Sequence, residues 1–177
     1  PLEFMLISSE KYFEDKIRQE YAKKTGLSMH HLLIFTGEQY VVFNLAQAEL
    51  APVMLAALQE ELAHTNDSVV GFVSFVDGFE LDIPDIKIEV GARISQHPDK
   101  KRVLRMNVLF QEGSLSRSYE ILPQNSSFSI GKHIDYWMKP EEEVCGFPNP
   151  FIKRETAQKL PFKDVQETLQ MIQGKLS

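Results

Sequence analysis

The only cysteine in the chain, Cys145, is the first residue whose type could support chemistry. A cysteine becomes a nucleophile or a metal ligand when a nearby cation, metal ion or helix N-terminus stabilises its thiolate. Here three glutamates, Glu141, Glu142 and Glu143, come just before it, and their charge opposes thiolate formation. A histidine could still stabilise the thiolate, and the nearest one in the sequence is His133. We therefore interpret Cys145 as a structural or incidental thiol.

The histidines do not have the spacing of a metal site. There is no HExxH motif and no Cys/His cluster. His30 and His31 are adjacent at the start of a predicted strand, so their side chains should point to opposite faces. His64 lies near the end of a predicted helix, where it suits the helix dipole. We predict no metal and no cofactor.

The stretch DGFELDIPDIKIE at residues 77–89 concentrates carboxylates. Glu80 and Asp82 share one face of a strand, so they could form an acid–base pair or hold a calcium ion. Their spacing does not match a calcium-binding DxDxDG loop, and their alternation with apolar residues is typical of a polar outer face. The sequence SIGKH at 129–133 lacks the first glycine of a phosphate-binding loop, and there is no nucleophile elbow. We predict no catalytic residues.

The best candidate for a binding surface is YWMKPEEEVCGFPNPF at residues 136–151. Trp, Tyr and Met are enriched at protein interfaces, and prolines lower the cost of ordering a binding loop. The alternative is that the same side chains form a strap over the core. The residues predicted to bind a partner are Tyr136, Trp137, Met138, Glu141, Glu142, Glu143, Phe147 and Phe151.

The whole chain narrows the classes of function. Its 177 residues suit one domain, and its formal net charge of −6 disfavours nucleic acid and anionic membranes as partners. A single cysteine favours a reducing compartment, and no apolar run is long enough for membrane insertion. The N-terminus does not have the pattern of a signal peptide, so we expect a cytoplasmic location. We interpret residues 1–4 as a remnant of an expression vector and 5–177 as a single domain.

Hydrophobic periodicity predicts an α+β fold with N-terminal, central and C-terminal helices on one face of an antiparallel sheet of about five to seven strands. The first helix should be capped by Ser9, with Phe13, Ile17 and Tyr21 on one apolar face. The second helix should begin at Pro52. Three hairpins are predicted, around Gly37, around Asp77-Gly78 and around residues 112–114. Strands are also predicted at 86–94 and 128–138, and a last helix at about 161–173. The basic stretch at 97–105 is predicted to be a solvated turn, or alternatively a contact for an acidic partner.

These features favour a non-catalytic protein-binding domain of the immunity-protein, secretion-chaperone or assembly-adaptor type. Its acidic and aromatic surface would suit a basic protein partner. Self-association through a strand edge or the aromatic loop is a further expectation. The main alternative is a small apolar-ligand-binding protein with a cavity between sheet and helix, and the next is an enzyme whose site is assembled from distant residues.

Overall fold

A computed structural model describes residues 2–23, 27, 29–37, 39–46, 52–81, 98–124, 127–144, 147–152 and 163–176. Within these ranges six strands form one antiparallel sheet, in the order β2-β1-β3-β4-β5-β6. The strands are β1 Met29–Thr36, β2 Gln39–Ala46, β3 Gly71–Leu81, β4 Lys100–Phe110, β5 Gly113–Gln124 and β6 Ser127–Met138. The predicted α+β class is confirmed.

The N-terminal helix consists of α1 (Leu2–Tyr12), a π-helical turn (Phe13–Ile17) and α2 (Arg18–Lys23). Phe13, Ile17 and Tyr21 are buried, as their helical spacing predicts. The prediction that Ser9 caps this helix is wrong. The helix begins at Leu2, so Ser9 lies inside α1 and is buried.

Two helices complete the described part of the fold. One is α3 (Pro52–Thr65), which begins at Pro52 as predicted. The other is α4 (Lys163–Leu176), which contains the buried Ile172. No helix in the described ranges is long and apolar enough to cross a membrane.

Two of the three predicted hairpins are confirmed. In the β1–β2 hairpin, Thr36 pairs with Gln39 and Gly37 has a φ of 68°, a conformation that glycine adopts at little cost. In the β4–β5 hairpin, Phe110 pairs with Gly113. The predicted strand at 128–138 is also present, as β6.

The predicted hairpin at Asp77-Gly78 is wrong. Strand β3 runs straight through both residues, which pair with Leu104 and Val103 of β4. The Asp77 carboxylate accepts a hydrogen bond of 2.9 Å from the Leu27 backbone N–H, so it ties β3 to the end of the N-terminal helix. A tertiary contact therefore overrides the local turn preference of the Asp-Gly pair.

The helices cover both faces of the sheet, so the prediction that all of them pack on one face is wrong. The N-terminal helix packs on the face that carries Leu33 and Phe35, which we call the first face. Helices α3 and α4 contribute to a second apolar cluster that contains Leu32 and Ile34. Adjacent residues of a strand point to opposite faces, so a strand that is apolar throughout requires cover on both.

Some predictions fall outside the described residues. They concern the strand at 86–94, the break at Pro84 and the N-terminal part of the predicted last helix.

Two glycines of the predicted turns, Gly37 and Gly78, allow a matched test. An added Cβ would meet nothing within 4 Å at either Gly37 or Gly78, but only Gly37 has a positive φ. Gly78→Ala should leave the free energy of unfolding unchanged or raise it by up to about 1 kcal/mol. Gly37→Ala should lower it by about 1 kcal/mol. Urea unfolding measures both values, and a loss at Gly78 similar to that at Gly37 would contradict a straight β3.

Candidate recognition site at the end of β6

Strand β6 is one edge of the described sheet, paired with β5 along one side. Its residues 132–137 are all exposed. They include three large apolar side chains: Ile134, Tyr136 and Trp137 are 55%, 46% and 56% exposed. Natural proteins usually protect a sheet edge with charge, proline or a covering element. A long edge strand with exposed apolar groups is therefore a candidate interaction surface.

A tight turn follows β6. The Glu142 backbone N–H donates to the Lys139 carbonyl at 3.0 Å, and the Glu142 side chain accepts from the Lys139 backbone N–H at 3.1 Å. Glu142 thus closes the turn, while Glu141 and Glu143 are exposed beside it. The turn fixes acidic side chains next to the aromatic end of β6.

The segment after the turn packs over the sheet instead of extending into solvent. We call its described residues, 144 and 147–151, the strap. Val144 is buried and forms an isolated β-bridge with Phe147. The Asn149 side-chain amide donates to the Phe110 and Gly113 carbonyls at 2.9 and 3.0 Å, which fixes the segment to the β4–β5 hairpin. Phe151 packs on the Phe72 ring at a centroid distance of 5.5 Å.

The structure therefore divides the predicted partner-binding residues into two groups. Tyr136, Trp137 and the three glutamates are exposed, whereas Met138, Phe147 and Phe151 are half-buried. Met138 and Phe151 pack against the second apolar cluster. Cys145 lies outside the described residues.

An open groove of about 600 Å³ adjoins this surface and brings together residues far apart in the sequence. Four predicted partner-binding residues line it, together with residues from three other strands. Its lining is Glu80, Arg105, Ser116, Asp135, Tyr136, Trp137, Met138, Glu142 and Val144. The Glu80 carboxylate accepts from Arg105 Nε and Nη2 at 3.1 and 2.9 Å, and from the Ser118 hydroxyl at 2.9 Å. These contacts describe a structural ion pair, not a free acid–base group.

The acidic and basic stretches, which sequence analysis treated separately, pair with each other across β3 and β4. Besides the Glu80–Arg105 pair, Arg102 Nη2 lies 3.8 Å from Asp77 Oδ1. Lys101 forms an ion pair of 3.2 Å with Glu120 of β5. The prediction that residues 97–105 form a solvated turn is wrong from Lys100 onward, because β4 is a central strand. Asp82, Asp85, Glu89 and His97 lie outside the described residues.

An ion cluster around the buried Arg117 was not predicted from the sequence. The Arg117 guanidinium donates to both oxygens of Asp135, at 2.8 and 3.0 Å, and also to Glu10 of α1. Hydrogen bonds donated by Arg117 hold the pKa of Asp135 below its ordinary value, and the same hydrogen bonds, accepted by Asp135, raise the pKa of Arg117. Arg117 and Asp135 are opposite residues of β5 and β6. The pairing of opposite charges across neighbouring strands was therefore the one sequence feature that could have indicated this ion cluster.

A hydrogen-bonded chain from Tyr12 through His31 to Glu20 was likewise not predicted from the sequence. The Glu20 carboxylate can only accept, so His31 Nε2–H donates to it at 2.8 Å. Burial raises the pKa of Tyr12 to about 12, so its hydroxyl is protonated at neutral pH and donates to His31 Nδ1 at 2.7 Å. The order carboxylate–imidazole–hydroxyl resembles a nucleophile relay. However, Tyr12 at the end of α1 and His31 on β1 are both buried. The chain thus ties the helix to β1.

The two adjacent histidines point to opposite faces, as predicted. His31 contacts the N-terminal helix, whereas His30 lines a cavity of about 110 Å³ on the second face. The cavity lies between the sheet, α3 and the strap, with Leu55, Phe147 and Pro148 in its wall. It also contains the buried polar residues Gln59, Ser74 and Asn107.

Among the described residues, no group of three or more His, Cys, Asp or Glu side chains could hold a metal ion. No family model matches this chain, and no curated protein or solved structure is significantly similar to it. Its function must therefore be argued from the site itself.

The ion cluster predicts a pH-dependent effect of Asp135→Asn. At pH 7 the substitution should lower the free energy of unfolding by about 1–3 kcal/mol, because buried Arg117 loses a charged partner. A lowered pKa means that this stabilisation is present above the ordinary aspartate pKa and is lost as the pH falls through the folded-state pKa. The wild type and the variant should therefore become equally stable once the pH falls below the folded-state pKa of Asp135, which is lower than that of an ordinary aspartate.

Urea unfolding across this pH range measures the difference. Asp67→Asn is the matched control, because Asp67 is an exposed carboxylate in a surface turn. It should change stability little at any pH. A loss in Asp135→Asn that stays constant down to the lowest pH would contradict the linkage.

Proposed function

We propose that this chain is a non-catalytic, cytoplasmic protein-binding domain whose recognition surface is the exposed end of β6 with the acidic turn that follows. The observation that carries the proposal is the exposure of Tyr136 and Trp137, about half of each side chain, on a sheet edge. Aromatic side chains of this kind supply much of the binding energy at protein interfaces.

The groove beside these aromatic residues makes the proposed recognition surface concave. Its walls combine aromatic side chains with the paired charges of Glu80 and Arg105. A partner side chain that enters it would contact apolar rings and find polar groups at fixed positions. This combination of an apolar contact and oriented polar groups supports specific recognition.

The charge at this end of β6 indicates the kind of partner. Glu141 and Glu143 are exposed close to the aromatic pair, and the whole chain has a net charge of −6. A basic partner would be attracted by this surface, and complementary charge also suppresses wrong partners. The edge of β6 could additionally form main-chain hydrogen bonds with an extended segment of the partner. An immunity protein, a secretion chaperone or an assembly adaptor would act in this way.

The proposal predicts the result of affinity capture from a lysate of the source cells. Wild-type protein should retain a stoichiometric partner, and Tyr136→Ala/Trp137→Ala should reduce its recovery at least about tenfold, since interface aromatics are hot spots. The rest of the sheet packs without these exposed rings, so the variant should fold, which circular dichroism checks.

The matched control is Ile7→Ala/Met171→Ala. It removes two apolar side chains that are also exposed, by 61% and 53%, but lie on α1 and α4. This control should capture the partner as the wild type does. Capture that is lost only in high salt would indicate the acidic turn instead of the rings. Absence of any stoichiometric partner in both salts would overturn the proposal of a stable complex.

A second candidate function is the binding of a small apolar ligand in the cavity below α3. Its mixed wall of apolar residues and buried polar groups is typical of ligand pockets. A volume of about 110 Å³ is close to that of a cavity that accommodates benzene, and far below that of pockets for drug-sized ligands. A ligand of this kind would be a single small ring or a short chain.

Filling the cavity tests this candidate. Ala56 lines the cavity from α3, and Ala56→Leu should occupy part of its volume. In a thermal-shift titration with phenol or indole, wild type should gain thermal stability, and the variant should gain less. Equal responses of the two proteins, or no response, would count against a ligand site.

A further inference from the structure

We propose that the exposed stretch of β6 pairs with the same stretch of a second copy of this chain, antiparallel, with Ile134 on the two-fold axis. The sheets of the two copies would then form one continuous sheet. This inference goes beyond the proposed function, because it requires no other protein.

Among the described residues, the unpaired edge of β6 has a defined extent. At one end, the carbonyl of Ile130 accepts a hydrogen bond of 3.4 Å from Arg18 Nη1, so the N-terminal helix contacts the strand there. At the other end, the chain leaves the strand after Met138 and enters the turn at Lys139. The stretch between these contacts is residues 131–137, and its middle residue is Ile134.

Two-fold symmetry restricts the register in which β6 can pair with its copy. In an antiparallel pair related by a two-fold axis through the sheet, opposite residues point to the same face. The axis must therefore pass through a residue position, so that each residue faces one whose number differs by an even amount. Three centres are consistent with the exposed stretch: His133, Ile134 and Asp135.

Charge selects among these centres. With Ile134 at the axis, His133 of each copy lies opposite Asp135 of the other, so an imidazole N–H can donate to a carboxylate twice. A centre at Asp135 would place two carboxylates opposite each other, which destabilises a strand pair. A centre at His133 would place two imidazoles opposite each other and leave each Asp135 opposite a glycine.

The apolar side chains favour the same register. The two copies of Ile134, each 55% exposed in the single chain, would cover each other. Lys132 would face Tyr136 of the second copy, where a cation–π contact can form. Trp137 would face Gly131 of the second copy, and an aromatic side chain opposite a glycine covers the bare backbone there. Because this region includes Tyr136 and Trp137, a second copy and a partner protein would compete for the strand.

Cysteine cross-linking tests the register in a Cys145→Ser background. Opposite residues of an antiparallel pair have Cα atoms about 4.5–5.5 Å apart, within the range for a disulfide. Ile134→Cys should therefore form a covalent dimer under mild oxidation. Lys132→Cys is the matched control on the same face, because its two copies would lie roughly 13 Å apart along the strands. It should not cross-link, whereas Lys132→Cys/Tyr136→Cys should.

The mass of the purified protein in solution, measured by light scattering from micromolar to millimolar concentration, tests the dimer itself. Wild type should shift from one chain to two as concentration rises. Ile134→Lys places like charges on the axis and should weaken dimerisation by at least about tenfold. Ile7→Lys, on α1, should dimerise as the wild type does.

A one-chain mass for the wild type at every concentration would overturn the inference. Equal cross-linking of Ile134→Cys and Lys132→Cys would also overturn it, because that result indicates random collision. Both tests use the purified chain alone, so their failure is separate from a failure to capture a partner protein.

Discussion

Burial of both faces of the central strands is the constraint on which the rest of this structure depends. In β1, Leu32 and Ile34 point to one side while Leu33 and Phe35 point to the other, and all four are buried. A strand of this kind is stable only when both faces are covered. The N-terminal helix covers one face, and α3 and α4 contribute to the cover of the other. The helix positions thus follow from the alternation of side chains in the strands.

The same constraint explains why the polar groups near the sheet centre are paired. Arg117, His31 and Asn107 lie on strands whose faces are covered, so each must find a partner within the protein. Arg117 binds Asp135 and Glu10, His31 binds Tyr12 and Glu20, and Asn107 accepts from Ser116. A carboxylate–imidazole–phenol chain in this setting holds a helix against a strand. The resemblance to a catalytic relay follows from the needs of buried polar groups.

Burial ends at β6, an edge strand of the sheet that the described residues form. Residues 132–137 are exposed, and the turn that follows is acidic. Val144 and Phe151 pack with the second apolar cluster, whereas Tyr136 and Trp137 at the end of β6 are exposed. Both binding proposals depend on this edge strand, which lies only a few residues from the buried interior.

Features that depend on neighbouring residues were predictable from the sequence. Helical spacing identified Phe13, Ile17 and Tyr21 as buried, Pro52 marked the start of α3, and Gly37 marked a turn with positive φ. Periodicity of two also located β6 and the β4–β5 hairpin. These features depend on steric preferences of the backbone over a few residues, which the local sequence contains.

Tertiary structure alone decided the features that depend on which strands become neighbours. The Asp-Gly pair became part of a straight strand because Asp77 accepts a hydrogen bond from Leu27, which local turn chemistry does not include. Lys101 and Arg105 became cross-strand partners of acids because β4 lies between β3 and β5. The same holds for the predicted recognition residues: only their place at the sheet edge left Tyr136 and Trp137 exposed while Phe151 packed on Phe72. Strand order determines the exposure of each side chain, and strand order arises from contacts between residues far apart in the sequence.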